Sequence, residues 1–103
     1  MANNKHDPYR LTNLPVEYWD IDKVKPYERN TKVHSQAHID KLKASIAADG
    51  LFDPLIVDHD GEIIAGHGRF AALVALGQQK VPVRHAAHLS KTQAAAARIS
   101  HNK

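Results

Sequence analysis

The chain has 103 residues, of which 43% are hydrophobic and 24% charged, with a formal net charge of +3. That is enough apolar material for one modest core and too much for a disordered chain. It has no cysteine, which excludes disulfides, Cys-ligated zinc, iron–sulfur clusters and a thiol nucleophile; no apolar run approaches the ~20 residues that span a bilayer and no signal-peptide core opens the chain, so a cytoplasmic protein without a membrane partner is expected.

Charge is unevenly distributed. Residues 1–62 hold eight basic and eleven acidic side chains, whereas residues 63–103 hold six basic ones and no carboxylate. The imbalance points to an anionic partner for the second half.

In chain order, residues 1–13 are polar and unpatterned and read as a flexible tail. Val16 to Ile21 alternates weakly and carries Tyr18 and Trp19, which predicts a short strand. Lys25 to His34 has no period and reads as a basic loop. Ser35 is placed to cap a helix that runs to Asp49 and stops at Gly50, with Ile39, Leu42 and Ile46 as its apolar stripe. Phe52-Asp53-Pro54 reads as a turn and Leu55-Ile56-Val57 as a buried strand. Asp58-His59-Asp60-Gly61 has hairpin-turn chemistry and Ile63-Ile64-Ala65 is the return strand.

Gly66-His67-Gly68 then leads into a helix predicted over Arg69 to Leu76, with Leu73 and Leu76 facing inward and Gly77 as its stop. Val81-Pro82-Val83 reads as a strand confined to an edge by its proline. Ser90 and Gln93 have capping-box spacing ahead of an Ala-rich helix over residues 90–103, whose apolar face is thin apart from Ile99. That thin face leads us to expect a partner or a further domain downstream. One core of Ile39, Leu42, Ile46, Leu55, Val57, Ile64, Leu73 and Leu76 is expected, in a compact α+β domain.

The segment from Gly61 to Gly77 is the richest in chemistry. A buried strand ends in Gly66-His67-Gly68 and a helix follows, and free amides at a helix start favour an anion, phosphate above all. Arg69 offers a fork for two phosphate oxygens, and His67 a ring nitrogen that donates to phosphate or moves a proton. The same glycines equally suit a strand-to-helix turn that holds no ligand. Gly66-x-Gly68-x-x-Ala71 fits the dinucleotide fingerprint only superficially, because no acidic residue follows Glu62, and the Gly-Lys-Ser/Thr of a P-loop is absent. The eight histidines are scattered. His34 and His38 are four apart, but a cap at Ser35 puts His34 outside the helix, and no protein-built metal site is expected. Asp20/Asp22 and Asp58/Asp60 read as turn chemistry, while Glu62 lies on the strand leading to Gly66.

These residues resemble a known family. Asn30-x-Lys32-x-His34-Ser35, Ser45-Ile46-x-x-x-Gly50-x-x-x-Pro54-Leu55-Ile56-Val57, Ile64-Ala65-Gly66-His67-Gly68-Arg69-x-Ala71-Ala72, Leu76-Gly77 and Val81-Pro82-Val83 are similar, in order, to the ParB-like N-terminal domain of the ParB/sulfiredoxin superfamily. The resemblance spans residues 14–102, with residues 14–89 as the domain itself. It is greatest to ParB-like domains of phage-type and DNA-methyltransferase-associated proteins, some of which carry a nuclease label. It implies a small mixed sheet packed with about three helices, whose strand-to-helix turn holds nucleotide phosphates, as CTP or ATP with magnesium.

Carried over residue by residue, Gly66, His67, Gly68 and Arg69 become the phosphate turn. Asn30 and Lys32 become a second wall, and Pro54 lies beside the base or ribose. Two departures stand out. The cysteine of sulfiredoxin chemistry is absent, which rules out that activity. Gly68 replaces the first arginine of the partition proteins' pair, which weakens the case for their CTP switch.

The leading expectation is a nucleotide-binding, DNA-associated module that touches DNA weakly and without sequence preference, as part of a phage, plasmid or DNA-modification protein, with a homodimer as a further option. The alternative is a nuclease or phosphotransferase in which His67 is the acid/base, Arg69 stabilises the transferring phosphoryl group and Glu62 or an Asp holds magnesium. A third is a regulatory or interaction domain with a vestigial pocket.

Overall fold

The computed structural model describes residues 13–27 and 34–101. It is α+β, with a four-stranded mixed sheet in the order β1-β4-β2-β3. β1 is Val16–Asp20, β2 Leu55–Val57, β3 Ile63–Ala65 and β4 Lys80–His85, and the helices are α1 Gln36–Asp49, α2 His67–Ala75 and α3 Lys91–His101. Among the described residues, no helix is long and apolar enough to cross a membrane.

The helix ends follow local chemistry. Ser35 Oγ accepts from the His38 amide at 3.1 Å, satisfying one of the free donors of α1. The Ser90 amide donates to Gln93 Oε1 at 2.9 Å and the Gln93 amide to Ser90 Oγ at 3.1 Å, a complete capping box at α3. After α2, the Gln78 amide donates to Leu73 O and the Gly77 amide to Val74 O, both at 3.0 Å, with Gly77 at φ 75°. That is a Schellman stop, made possible by the glycine.

The sheet separates two small apolar clusters. Leu55, Val57, Ile63, Val81 and Val83 have no exposed surface, and with Val24 and Leu73 they form the larger one, against which Ile46, Leu51 and Phe70 pack. Alternation sends Ile56 and Ile64 to the other cluster, which holds Ala86 and Ala94 and is flanked by Leu14, Leu89 and Ala97. α3 therefore docks on β3 of its own sheet through Ala94 and Ala97. Ile99 projects outward, at 77% exposure.

Three expectations are corrected. The stripe of Ile39, Leu42 and Ile46 is only half-buried and Leu76 is 39% exposed, because α1 rests mainly on α2 and reaches the sheet cluster only through Ile46. β1 ends at Asp20, and Ile21–Lys23 is a 3-10 turn tied by the Ile21 amide to Gln79 O at 2.8 Å. β4 lies inside the sheet, not at its edge: Tyr18 pairs with Pro82 on one side, while the parallel ladder to β2 begins only at Leu55↔Val83. Pro82 thus stands just before that ladder starts, where its missing N–H costs no bond to β2.

The Asp58 turn is more than solvent chemistry. Asp58 is 7% exposed. Its Oδ1 accepts from the Asp60 and Glu62 amides at 2.9 Å each, and its Oδ2 from Arg98 Nη2 at 2.7 Å. Arg98 Nε also donates to Ile63 O at 2.9 Å, and its guanidinium lies 4.1 Å from the Tyr27 ring centroid. Burial pushes the Asp58 carboxyl up, but Arg98 and the two amides outweigh it and hold it below the ordinary 3.8.

Removing one partner of such a pair strands a buried charge. Arg98→Met is expected to cost about 3–5 kcal/mol in urea denaturation at pH 7. A depressed carboxyl contributes fully above its unfolded pKa, so that stability falls away below about pH 4, and the deficit of Arg98→Met narrows there as Asp58 protonates. A deficit that stayed constant down to pH 2 would show that the pair is not charged in the fold. In the core, Leu55→Ala is expected to cost about 2–5 kcal/mol and the half-buried Leu42→Ala clearly less, read by the same denaturation.

Candidate functional site

β3 ends at Ala65 and the chain turns at Gly66, whose φ of 104° and ψ of 24° lie in the left-handed region. A side chain there would be strained, and its Cβ would stand 2.7 Å from Cδ2 of the fully buried Leu55. The tight turn starts α2 at His67, two residues earlier than the sequence predicts, so Arg69 is the third helical residue and not the first. The first bond back into the turn is from the Phe70 amide to Gly66 O at 2.8 Å. The amides of His67, Gly68 and Arg69 thus have no acceptor within the helix and face out of its positive end.

The two glycines do different work. Gly66 makes the turn. Gly68 is buried against α1: a Cβ on it would meet His34 Cε1 at 3.1 Å and Leu42 Cδ1 at 3.2 Å. Its missing side chain lets α1 and the residue before it press onto the start of α2.

Two adjoining clefts open here. One, of about 310 Å³, is lined by His34, His38 and Leu42 from the α1 side, by Ile64 to Arg69 and by His101 of α3. The other, of about 460 Å³, is lined by Phe52, Asp53, Pro54, Ile56 and Arg84. They share Ala65, Gly66, Arg69 and His101, and so form one groove across the N-terminus of α2. Two buried polar atoms at this place have no hydrogen-bond partner, His67 Nε2 and Arg69 Nε, although Arg69 Nη2 donates to Pro54 O at 3.3 Å. Burial holds the His67 imidazole below its ordinary pKa of 6.5, with repulsion from Arg98 and His34 adding to it. At neutral pH this ring is uncharged.

Of the residues the sequence singles out, Gly66, His67, Gly68, Arg69 and Pro54 come together in the groove. Glu62 does not: it immediately precedes β3, bridges to Lys25 through its backbone and lines neither cleft. Asn30 and Lys32 lie outside the described residues. The sequence reading did not place His38, His101, Phe52 or Arg84 at the site. The His34/His38 spacing was the available signal. His34 precedes the helix as expected, yet its ring stacks on His38 with centroids 5.2 Å apart and planes at 15°.

The basic second half is largely engaged within the protein. Lys80 pairs with Asp20 at 2.6 Å, Arg98 with Asp58, Arg84 donates to Leu14 O and Arg69 to Pro54 O. No group of three or more His, Asp or Glu side chains among the described residues is placed to hold a metal ion.

Comparison with known proteins bears on the family and the fold. The family model described as ParB N-terminal domain matches residues 5–103. The chain is 39% identical over 70 residues to the ParB-like nuclease domain-containing protein YnaK of Escherichia coli, covering 68% of this chain and 80% of that one. It is 38% identical over 69 residues to a probable chromosome-partitioning protein ParB of Rickettsia typhi, covering 66% of this chain but only 24% of that much longer protein. Among solved structures, the C-terminally truncated ParB of Caulobacter crescentus complexed with CTP-gamma-S superposes with a TM-score of 0.75 at 19% identity, covering 85% of this chain and 52% of that one. Sulfiredoxin of Arabidopsis thaliana gives 0.62 at 23% identity, covering 69% and 83%. Both structural likenesses bear on the fold.

Gly66 and Gly77 make a controlled pair of substitutions. Gly77 also has positive φ, 75°, but a Cβ there meets nothing within 4 Å. Gly77→Ala should therefore cost only the conformational strain, about 1–2 kcal/mol. Gly66→Ala should add overpacking against Leu55, for about 2–5 kcal/mol in all. Equal losses in thermal or urea denaturation would contradict the tight turn.

Proposed function

The chain belongs to the ParB N-terminal domain family, and from that premise we propose that the groove at the start of α2 binds the phosphates of a nucleotide carried with magnesium, in a module of a DNA-associated phage, plasmid or DNA-modification protein. The observation that carries this reading is the Gly66 turn, which aims three free amides into a groove where Arg69 Nε and His67 Nε2 are buried without partners. Arg69 Nε is a donor and His67 Nε2 donates or accepts according to its protonation, and a buried polar group without a partner costs stability unless a ligand supplies one. The residues present fit a phosphate group.

Each residue has a distinct part. The amides of His67, Gly68 and Arg69 donate to phosphate oxygens, and Arg69 adds a forked positive charge. Pro54, whose carbonyl fixes Arg69, borders the half of the groove that takes the sugar and base. CTP is the first nucleotide to test, because a ParB of this fold is complexed with a CTP analogue; ATP is the second. Magnesium comes with the nucleotide and keeps its waters, since this groove supplies no carboxylate cluster.

A second reading, phosphoryl transfer or nuclease chemistry, is favoured by the neutral His67 imidazole, a form able to accept a proton as general base. Arg69 would then stabilise charge on the reacting phosphorus. Glu62 has no part in it from its place outside the groove. Turnover with CTP, ATP or DNA, lost in His67→Ala while affinity stays, would select this reading over pure binding.

Arg69→Ala is expected to weaken CTP–magnesium binding by roughly 10- to 150-fold in calorimetric titration, the loss of one charge-assisted contact of about 1.5–3 kcal/mol. Arg69→Lys should recover only part of it. In an NMR titration the amides of residues 66–70 should shift first; a response confined to another surface would overturn the site. Duplex DNA should bind weakly, because most of the described cations in residues 63–103 already have protein partners, and binding that rests on the remaining phosphate contacts should fall as salt rises from low to physiological. Salt-resistant binding to one sequence would contradict that.

A further inference from the structure

Histidines gather at this groove from three parts of the chain. His34 and His38 stand on the α1 side, His67 opens α2, and His101 closes α3. Of these, His67 carries a ring nitrogen that is buried and has no hydrogen-bond partner. The titratable and charged groups around the cleft it lines are His34 and His38, Arg69 of its own helix, and His101 from α3, with Arg98 acting on it from the same helix. β3 contributes Ile64 and Ala65, which carry no charge, and no carboxylate lines this cleft. Asp58, on the far side of Arg98, is already paired with it.

The charged groups nearest His67 therefore repel a proton while the groove holds no anion; the carboxylate of Asp53 and the guanidinium of Arg84 line the adjoining cleft and not this one. A polyanion seated against the free amides of α2 reverses the sign of that field at close range, in a partly buried site where screening is weak. We propose that anion capture in this groove is coupled to proton uptake, with His67 as the group that takes the proton and then donates from Nε2 to the anion. The inference rests on the phosphate reading above and adds a regulation to it: the same site binds more tightly as pH falls.

The sign follows from linkage. If the His67 pKa is higher in the complex than in the free protein, affinity is level above the complex's pKa. It climbs as pH drops towards the free value and is level again below that. A neighbouring anion that raises the pKa by one unit gives about a tenfold gain in affinity across the window.

The probe is inorganic tripolyphosphate with magnesium, titrated by calorimetry at pH 8 and pH 6 into the wild type and His67→Gln. The ligand's own protonation is common to both proteins and cancels in the comparison. The expected result is a gain in affinity from pH 8 to pH 6 that is larger in the wild type, by up to about tenfold for a one-unit rise in the His67 pKa. Equal gains, with binding intact, would overturn the proton coupling and leave the phosphate site standing. Failure of tripolyphosphate and of CTP–magnesium to bind at either pH would overturn both. Should His67→Gln not fold, the His67 ring resonance of the wild type is followed against pH with and without saturating tripolyphosphate. A higher midpoint in the complex supports the coupling, and an unmoved one refutes it.

Discussion

The buried pair of Asp58 and Arg98 is the constraint on which the other arrangements depend. One carboxylate oxygen organises the turn between β2 and β3 by accepting two amides, and the other receives a guanidinium from the far end of the described chain. That guanidinium also holds the carbonyl of Ile63 and lies against Tyr27. Three segments distant in sequence thus meet at one charge. α3 has only alanines to bury against β3, a small apolar gain for eleven residues. The ion pair fixes its position, and His101 at the end of α3 reaches the groove because Arg98, nearly one helical turn earlier, is anchored.

Much of the fold was legible because it is written in local chemistry. Ser35, Gly50, Gly77 and the Ser90–Gln93 pair declare helix ends whatever lies around them. The β2–β3 hairpin follows from two apolar triplets flanking a turn. What was not legible depends on tertiary placement. The start of α2 was set two residues late because nothing in the sequence alone tells which glycine of Gly66-His67-Gly68 takes the left-handed turn; Leu55 beneath it decides. Pro82 suggested an edge strand, but the short β2 leaves that position beyond the parallel ladder. Asp58 looked like a turn residue, and its partner forty positions on is invisible to any local pattern.

The site was partly legible for the same reason. Its centre, Gly66 to Arg69 with Pro54, is contiguous or rests on a resemblance carried by short motifs. Its walls are not: His38, His101 and Phe52 come from separate elements and meet only when α1 and α3 are packed. Read as a sum, the positive half of the sequence suggests a face for polyanions; in the fold its arginines turn inwards to carbonyls and a carboxylate, so that less of its charge faces outwards than the count implies.

The strand order carries a consequence for how the chain assembles. β1 has one neighbour in the sheet, β4, and the two are separated by most of the domain. During synthesis, the β2–β3 hairpin can close as soon as it emerges, but β1 must wait, with Trp19 uncovered, until residue 85 has left the ribosome. Its chief protection in that interval is local: the carboxylates of Glu17, Asp20 and Asp22 discourage the exposed strand from pairing with other chains. Acidic residues that lie outside the groove at the start of α2 thus have a use before that groove exists.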